Sequence, residues 1–240
     1  PGVGANYHDH LAVGVLMETG DTTSYGLSLP TLPRSALNLA QYALGRRGPL
    51  ASNVFESTAF IRSRADVDRP DMQIVFQPAR RNPNAFPLPL GHGYAVSTVS
   101  LYPKSRGRIR LASADPLAAP LIDPNLLGEP EDLQPLVHGL KLSRRLLAQP
   151  SFARFRAVEV SPGPAAADEA ALAAHVRRSS STVHHPGGSC RMGSDAAAVV
   201  DAQLRLNGLS GLRIVDGSVM PHVIGGNTNA PTIMIGEKAA

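Results

Sequence analysis

The carboxy-terminal part of the chain contains the segments HHPGGSCRMG at residues 184–193 and GGNTNAPT at residues 225–232. In the first segment a histidine ends an extended stretch and is followed by a proline and glycines, which allow the backbone to approach a ligand closely. In the second segment Pro231 suits the first turn of a helix that continues into the apolar residues 233–235. Because a helix N-terminus stabilises negative charge, the asparagine-rich loop before it is predicted to contact a ligand.

Two further segments lie between these loops. Residues 199–208 predict a short strand that ends in a turn, and residues 212–218 read LRIVDGS. In the latter segment an apolar strand is expected to deliver Asp216 and Gly217 at its carboxyl end, where open α/β sheets hold their ligands. On the residues alone, His185 is either a group that faces a ligand or a loop histidine with local hydrogen bonds.

The rest of the chain predicts strands interspersed with helices, which indicates an α+β fold with an antiparallel sheet backed by helices. Strands are predicted at residues 11–17, 55–62, 72–77, 94–102 and 108–111, and helices at 33–45, 131–148 and 168–179. The turn-forming PKSRG at residues 103–107 predicts a hairpin between the strands on either side of it, and residues 80–93 predict a loop. No G-x-G-x-x-G follows a strand, so the chain is expected to lack a dinucleotide-binding βαβ unit.

Composition excludes several classes of protein. The 240 residues are 43% hydrophobic and 18% charged, which is too apolar for disorder, yet no stretch is long and apolar enough to span a membrane. A single cysteine excludes an internal disulfide framework and a thiolate zinc cluster. A net charge of +4 with only 5% aromatic residues argues against nucleic acid as a partner.

The order of these motifs resembles that of the glucose–methanol–choline (GMC) oxidoreductase family, and most closely its choline-dehydrogenase-like alcohol dehydrogenases. The resemblance begins with GVGAN and DH at residues 2–10 and extends to the last loop over nearly the whole chain. It implies a flavoenzyme in which this chain supplies the substrate domain and the strands and loops that complete the FAD domain. The Rossmann unit of that domain is missing from this sequence.

The resemblance also implies roles for particular residues. His185 matches the catalytic histidine, and Asn229 matches a second active-site position that is His or Asn in different members. Asp216 and Gly217 match residues near the ribityl and pyrophosphate part of FAD, and Asn227 and Thr228 lie in the loop that packs against its isoalloxazine ring. The implied reaction is hydride transfer from a primary alcohol to flavin N5, with histidine as the proton acceptor and an electron acceptor that is unknown.

We expect the chain to be an internal piece of a longer cytoplasmic protein, because it opens without Met or a signal peptide and ends in a helical pattern. The expected divisions are an entry segment at residues 1–27, a substrate-binding domain at 28–180 and a catalytic, flavin-covering segment at 181–240. Two other functions remain open: an FAD-containing hydroxynitrile lyase, and a truncated binding module without catalysis.

Several other residues allow a functional or a structural interpretation. His8, Asp9 and His10 resemble a metal motif but lack a third ligand at a sensible spacing, so no metal site is expected and the segment is interpreted as an entry loop. His184 is expected to point away from His185 on an extended strand and to be structural. Glu56 could attract a cationic alcohol, although surface exposure is the simpler interpretation.

Overall fold

The structure is a computed structural model that describes residues 2–80 and 90–239. The chain divides into two units, each assembled from separate stretches of sequence. The site unit comprises Pro1–Ala12, Ser100–Pro135 and Ser180–Ala240, and the sheet unit comprises Val13–Val99 and Leu136–Ser179. The domain boundaries proposed at residues 27/28 and 180/181 stay a prediction.

Strands and helices alternate along the chain as the hydrophobic pattern predicts. The strands are β1 (Leu11–Thr19), β2 (Ser57–Ile61), β3 (Met72–Gln77), β4 (His92–Ser100), β5 (Arg108–Arg110), β6 (Leu121–Asp123), β7 (Val158–Ser161) and β8 (Ser181–Thr182). The α-helices are α1 (Leu32–Gly45), α2 (Leu133–Leu147), α3 (Pro150–Ala153), α4 (Glu169–Ser179) and α5 (Asn229–Ala239). The α+β fold is therefore confirmed. The strands predicted at residues 11–17, 55–62, 72–77, 94–102 and 108–111 and the helices predicted at 33–45, 131–148 and 168–179 are present within a few residues of their predicted bounds.

The main sheet has the strand order β2-β3-β4-β1-β7, and β8 pairs with the start of β1. The pairs β1–β7, β1–β8 and β2–β3 are antiparallel. Almost every residue of β3 and β4 is buried, which fits two central strands with both faces covered. The edge strand β2 is exposed along its length, and Glu56 just before it is exposed as well, as the simpler interpretation of that residue expects.

Helix α2 buries one apolar stripe in the sheet unit. Leu136, Val137 and Leu140 recur at helical spacing and are at most 1% exposed. Gly139 lies on the same side, and a Cβ atom at this position would overlap the side chain of Thr98 on β4. The glycine therefore allows the helix to approach the strand closely. Four aromatic rings add a second cluster with centroids 5.5–6.3 Å apart: Phe76, Tyr94, Phe152 and Phe155.

The predicted hairpin around residues 103–107 is wrong. Strand β5 pairs with β6 and not with β4. The segment between β4 and β5 does not form a hairpin turn, because its backbone groups make hydrogen bonds to other parts of the chain. The N–H groups of Lys104 and Ser105 donate to the carboxylate of Asp132 at 2.7 and 2.9 Å, and Gly107 exchanges both backbone bonds with Tyr7.

Two strands predicted in the carboxy-terminal part are wrong. Residues 199–208 form only isolated bridges, at Val200, Arg205 and Leu206. The stretch at residues 212–215 is not a regular strand, since its only described ladder contact is an isolated bridge between Arg205 and Arg213. Helix α1 ends at Gly45, as predicted, and Arg46 follows in the left-handed conformation (φ 50°). Most of the loop predicted at 80–93 lies outside the described residues.

No helix in the described parts of the chain has the length and apolar character needed to cross a membrane.

The sheet unit contains a half-buried ion pair that joins α2 to β7. Arg144 donates hydrogen bonds to both carboxylate oxygens of Glu159 and to the carbonyl oxygens of Gly163 and Ala166. The two charged side chains are 24% and 22% exposed. Since charge-assisted bonds with this bidentate geometry are among the stronger ones, we expect the pair to stabilise the unit.

We predict that Arg144→Met lowers stability by about 2 kcal/mol, because it leaves a half-buried carboxylate without its partner. The melting temperature should then fall by roughly 4–8 °C. Lys141→Met is the matched control, since its ion pair with Glu169 is 46% and 57% exposed and should contribute at most about 0.5 kcal/mol. Equal melting temperatures for the two variants would contradict the role of Arg144.

Candidate active site

Residues 183–187 are fixed by antiparallel bonding to residues 8–10, which come from the other end of the chain. His8 and Gly187 exchange both backbone hydrogen bonds, at 3.1 and 3.0 Å, and the N–H of Val183 donates to the carbonyl of His10 at 3.1 Å. The backbone N–H of His185 donates to the Asp9 carboxylate at 2.9 Å. Hydrogen bonds therefore fix the backbone before His185, at Val183, and after it, at Gly187.

The expectation for His184 does not hold, because this residue is not in an extended conformation. Its φ is 63°, in the left-handed region, so the strand pattern that would point His184 away from His185 is interrupted there. Both side chains line the same cavity.

The ring of His185 contacts the ring of His10, which is fully buried. The two Nδ1 atoms are 2.9 Å apart, and the ring planes are nearly perpendicular at 88°. The other ring nitrogen of His10, Nε2, faces the carbonyl oxygens of Leu101 at 3.1 Å and Ile224 at 2.8 Å. His10 thus joins the segment that carries His185 to the segment that leads into the asparagine loop.

A cavity of about 630 Å³ opens in front of His185, and all of its lining residues belong to the site unit. This volume lies within the range of typical small-molecule sites. It brings together all six residues that the resemblance implicated, together with His184. The lining is Tyr7, Ile109, His184, His185, Pro186, Gly187, Ser189, Asp216, Gly217, Ser218, Asn227, Thr228, Asn229 and Thr232.

The two asparagines occupy different positions on the cavity. The Nδ2 atom of Asn227 is 3.5 Å from Nε2 of His185, a long contact across the opening. Asn229 is the first residue of α5, and the N–H groups of Asn229 and Ala230 lie too close to the start of the helix for an intrahelical acceptor. Thr228, between them, accepts hydrogen bonds at its carbonyl from both the backbone and the hydroxyl of Thr232.

Asp216 has a structural role in addition to lining the cavity. Its side chain caps a short 3₁₀ helix, Gly217–Val219, by accepting the N–H of Ser218 at 2.7 Å. A Cβ atom on Gly217 would lie 3.3 Å from the hydroxyl of Thr232. The turn therefore packs closely against α5, and a larger residue at position 217 would crowd Thr232.

Burial and neighbouring charges shift several pKa values around His185. Burial lowers the pKa of His185, and the Asp9 carboxylate opposes this effect while His184 adds to it. Burial lowers the pKa of His10 to about 4, and burial raises the pKa of Asp9. Both histidines are therefore neutral at pH 7.

The entry loop expected at residues 8–10 does not account for the contacts that these residues make with His185. The signal was the pattern itself, since polar residues directly before the apolar strand β1 are expected to be buried and to need partners. The described residues contain no group of three or more His, Cys, Asp or Glu side chains that could hold a metal ion.

The GMC oxidoreductase family model matches residues 103–236, which is more than half of the chain. The chain belongs to the GMC oxidoreductase family. Among its GMC relatives, an alcohol dehydrogenase [acceptor] of Pseudomonas putida is 42% identical over 240 residues, which cover all of this chain and 44% of the relative. An oxygen-dependent choline dehydrogenase of Chromohalobacter salexigens is 41% identical and is covered to 43%. The chain therefore spans less than half the length of these GMC relatives.

A solved structure has the same fold. A variant formate oxidase of Aspergillus oryzae, studied for the modification of its FAD, matches with a TM-score of 0.86 and 22% identity. The match covers all of this chain and 46% of the formate oxidase. The GMC fold predicted from the motifs is confirmed.

Gly188 allows the segment after His185 to lie directly on residues 6–8. Its φ is 80°, and a Cβ atom there would overlap the ring of His8 and the carbonyl of Asn6. The same carbonyl accepts a hydrogen bond from Nδ1 of His8 at 2.8 Å, so the ring cannot easily move aside.

We predict that Gly188→Ala destabilises the protein by about 2–4 kcal/mol, since it adds both backbone strain and overpacking. Gly226→Ala is the matched control, because a Cβ atom at Gly226 meets open space and should change stability by less than about 0.5 kcal/mol. Thermal melting of both variants measures the difference, and a melting temperature for Gly188→Ala equal to that of the control would refute the packing argument.

Proposed function

We propose that this chain supplies the proton acceptor and the flavin-covering surface of an FAD-dependent alcohol oxidoreductase. The observation that carries the proposal is the juxtaposition of Nε2 of His185 and the amide of Asn227 across one cavity, next to the N-terminus of α5. An imidazole can accept a proton near neutral pH, an amide can hold an oxygen atom in place, and a helix N-terminus favours negative charge.

The residues around the cavity fit a flavin. Gly187 and Gly217 allow two backbone segments to approach closely, since a Cβ atom on Gly187 would lie 3.2 Å from the carbonyl oxygen of Gly217. The N–H groups of Asn229 and Ala230 at the start of α5 suit the electron-rich edge of a flavin ring. Asp216, Gly217, Asn227 and Thr228 would hold FAD, which when bound supplies the hydride acceptor for the oxidation.

The residues of this chain then have distinct roles toward an alcohol. His185 accepts the hydroxyl proton at Nε2, so that the carbon-bound hydrogen can leave as a hydride and the alcohol becomes an aldehyde. Asn229, together with Asn227, holds the hydroxyl oxygen in line with His185, since correct positioning of reactants lowers the activation barrier by several kcal/mol. The carboxylate of Asp216 is the only acidic group among the described lining residues, which favours a small neutral alcohol.

The proposal is tested by mixing the full-length protein, loaded with FAD, with primary alcohols in the absence of oxygen. Loss of the oxidised-flavin absorbance and formation of one aldehyde per flavin are expected. A panel that includes choline and uncharged primary alcohols identifies the substrate class. Cyanide release from a cyanohydrin without flavin reduction would indicate a hydroxynitrile lyase, and a protein that does neither would be a binding module.

We predict that His185→Ala slows flavin reduction by the alcohol by about 10²–10⁴-fold, because the hydroxyl proton loses its acceptor. Bound FAD should be retained, which separates a catalytic loss from a loss of cofactor. The control is His138→Ala, because His138 is an exposed residue of α2. In this variant the alcohol should reduce the flavin at the wild-type rate. An unaltered reduction rate in the His185 variant would rule out this residue as the proton acceptor.

We also predict that Asn229→Ala slows flavin reduction by a smaller factor, about 10-fold, since it removes a positioning contact and leaves the base in place. Asn227→Ala should have an effect of similar size, because its amide is the one within 3.5 Å of His185. Rapid-mixing measurements of both variants give the two factors. If neither variant differs from the wild type, the positioning role of the asparagine loop is wrong.

A further inference from the structure

We propose that His10 is a positioning residue that selects the tautomer of His185 and so keeps the proton-accepting lone pair on Nε2. This inference rests on the proposed function for the use of that lone pair. The contact itself is independent of any reaction, since the two Nδ1 atoms lie 2.9 Å apart in the structure.

The surroundings of His10 determine where its hydrogen lies. Its Nε2 faces the carbonyl oxygens of Leu101 and Ile224, at 3.1 and 2.8 Å, and carbonyl oxygens can only accept. Nε2 must therefore carry the hydrogen. A second hydrogen on Nδ1 would make the ring cationic, which complete burial opposes by lowering the pKa of His10 to about 4. The Nδ1 atom of His10 is consequently a bare acceptor.

The tautomer of His185 follows from that of His10. An acceptor on His10 requires a donor on the facing atom, so Nδ1 of His185 carries a hydrogen. Because a neutral imidazole has only one N–H group, Nε2 of His185 then carries a lone pair. This atom faces the cavity, where the amide of Asn227 lies 3.5 Å away and can donate to it.

The same contact supports His185 after it accepts a proton. The Nδ1–H of the imidazolium still donates to His10, and this hydrogen bond favours the charged form. The other groups that act electrostatically on His185 are the Asp9 carboxylate, which also favours the charged form, and His184, which opposes it. Loss of the His10 acceptor should therefore lower the pKa of His185.

The test compares His10→Gln with His10→Leu in the full-length protein loaded with FAD. The glutamine side chain can both accept from His185 and donate to a carbonyl, whereas leucine fills similar space and can do neither. NMR of ¹⁵N-labelled histidine distinguishes protonated ring nitrogens from bare ones, and the His185 signals are identified by their loss in His185→Ala. Single-turnover flavin reduction is measured with each variant from acid to neutral pH.

In the wild type and in His10→Gln, we expect a hydrogen on Nδ1 of His185 and none on Nε2. In His10→Leu, both tautomers should be populated, and flavin reduction should be about 10- to 100-fold slower than in the wild type. The acid limb of its rate profile should also move to lower pH, because His185 must be neutral to act and its pKa has fallen. His10→Gln should restore the rate to within about 5-fold and leave the limb in place.

A hydrogen on Nε2 of wild-type His185 would overturn the proposal. So would a His10→Leu variant with an unchanged tautomer, or one with a slower rate and no shift of the acid limb, since a purely structural defect lowers the rate at every pH. If His10→Leu fails to retain FAD, the spectra of the wild type and of His10→Gln still decide. If no alcohol reduces the wild-type flavin, the proposed function fails while the NMR measurement still tests the histidine pair.

Discussion

The exchange of two backbone hydrogen bonds between His8 and Gly187 is the constraint on which the site unit depends. It joins segments that are about 180 residues apart in the chain, and it fixes the direction in which the side chain of His185 points. The bond from the N–H of His185 to Asp9 and the ring contact with His10 are possible only in this register. A shift by one residue would move His185 away from both Asp9 and His10.

Side-chain bonds from Asn6 and Arg106 reinforce this register. The Asn6 amide donates to the carbonyl oxygens of Gly188 and Pro221, at 3.3 and 3.2 Å, and its oxygen accepts from Arg106 at 3.0 Å. The Arg106 guanidinium also contacts His222 at 3.1 Å. Loops that a sequence alignment would treat as separate motifs are therefore parts of one hydrogen-bonded network, which explains how irregular backbone can hold side chains in a defined geometry.

The strands and helices could be predicted because their signals are local. The apolar spacing of α2 and the continuous apolar run of β1 each lie within one stretch of sequence. The pairing of β5 could not be predicted in the same way, since it depends on bonds that Asp132 and Tyr7 make with the preceding turn. The role of His10 was hidden for the same reason: its partners are 91, 175 and 214 residues away in the chain.

The order of the segments that build the site unit has a consequence for how the protein is made. A growing chain leaves the ribosome from its amino end, so residues 1–12 are synthesised long before the stretch from Ser180 that completes their unit. Until then, His8, Asp9 and His10 lack the neighbours that bury them. The site unit can therefore be completed only after the sheet unit, whose stretches Val13–Val99 and Leu136–Ser179 are synthesised in between.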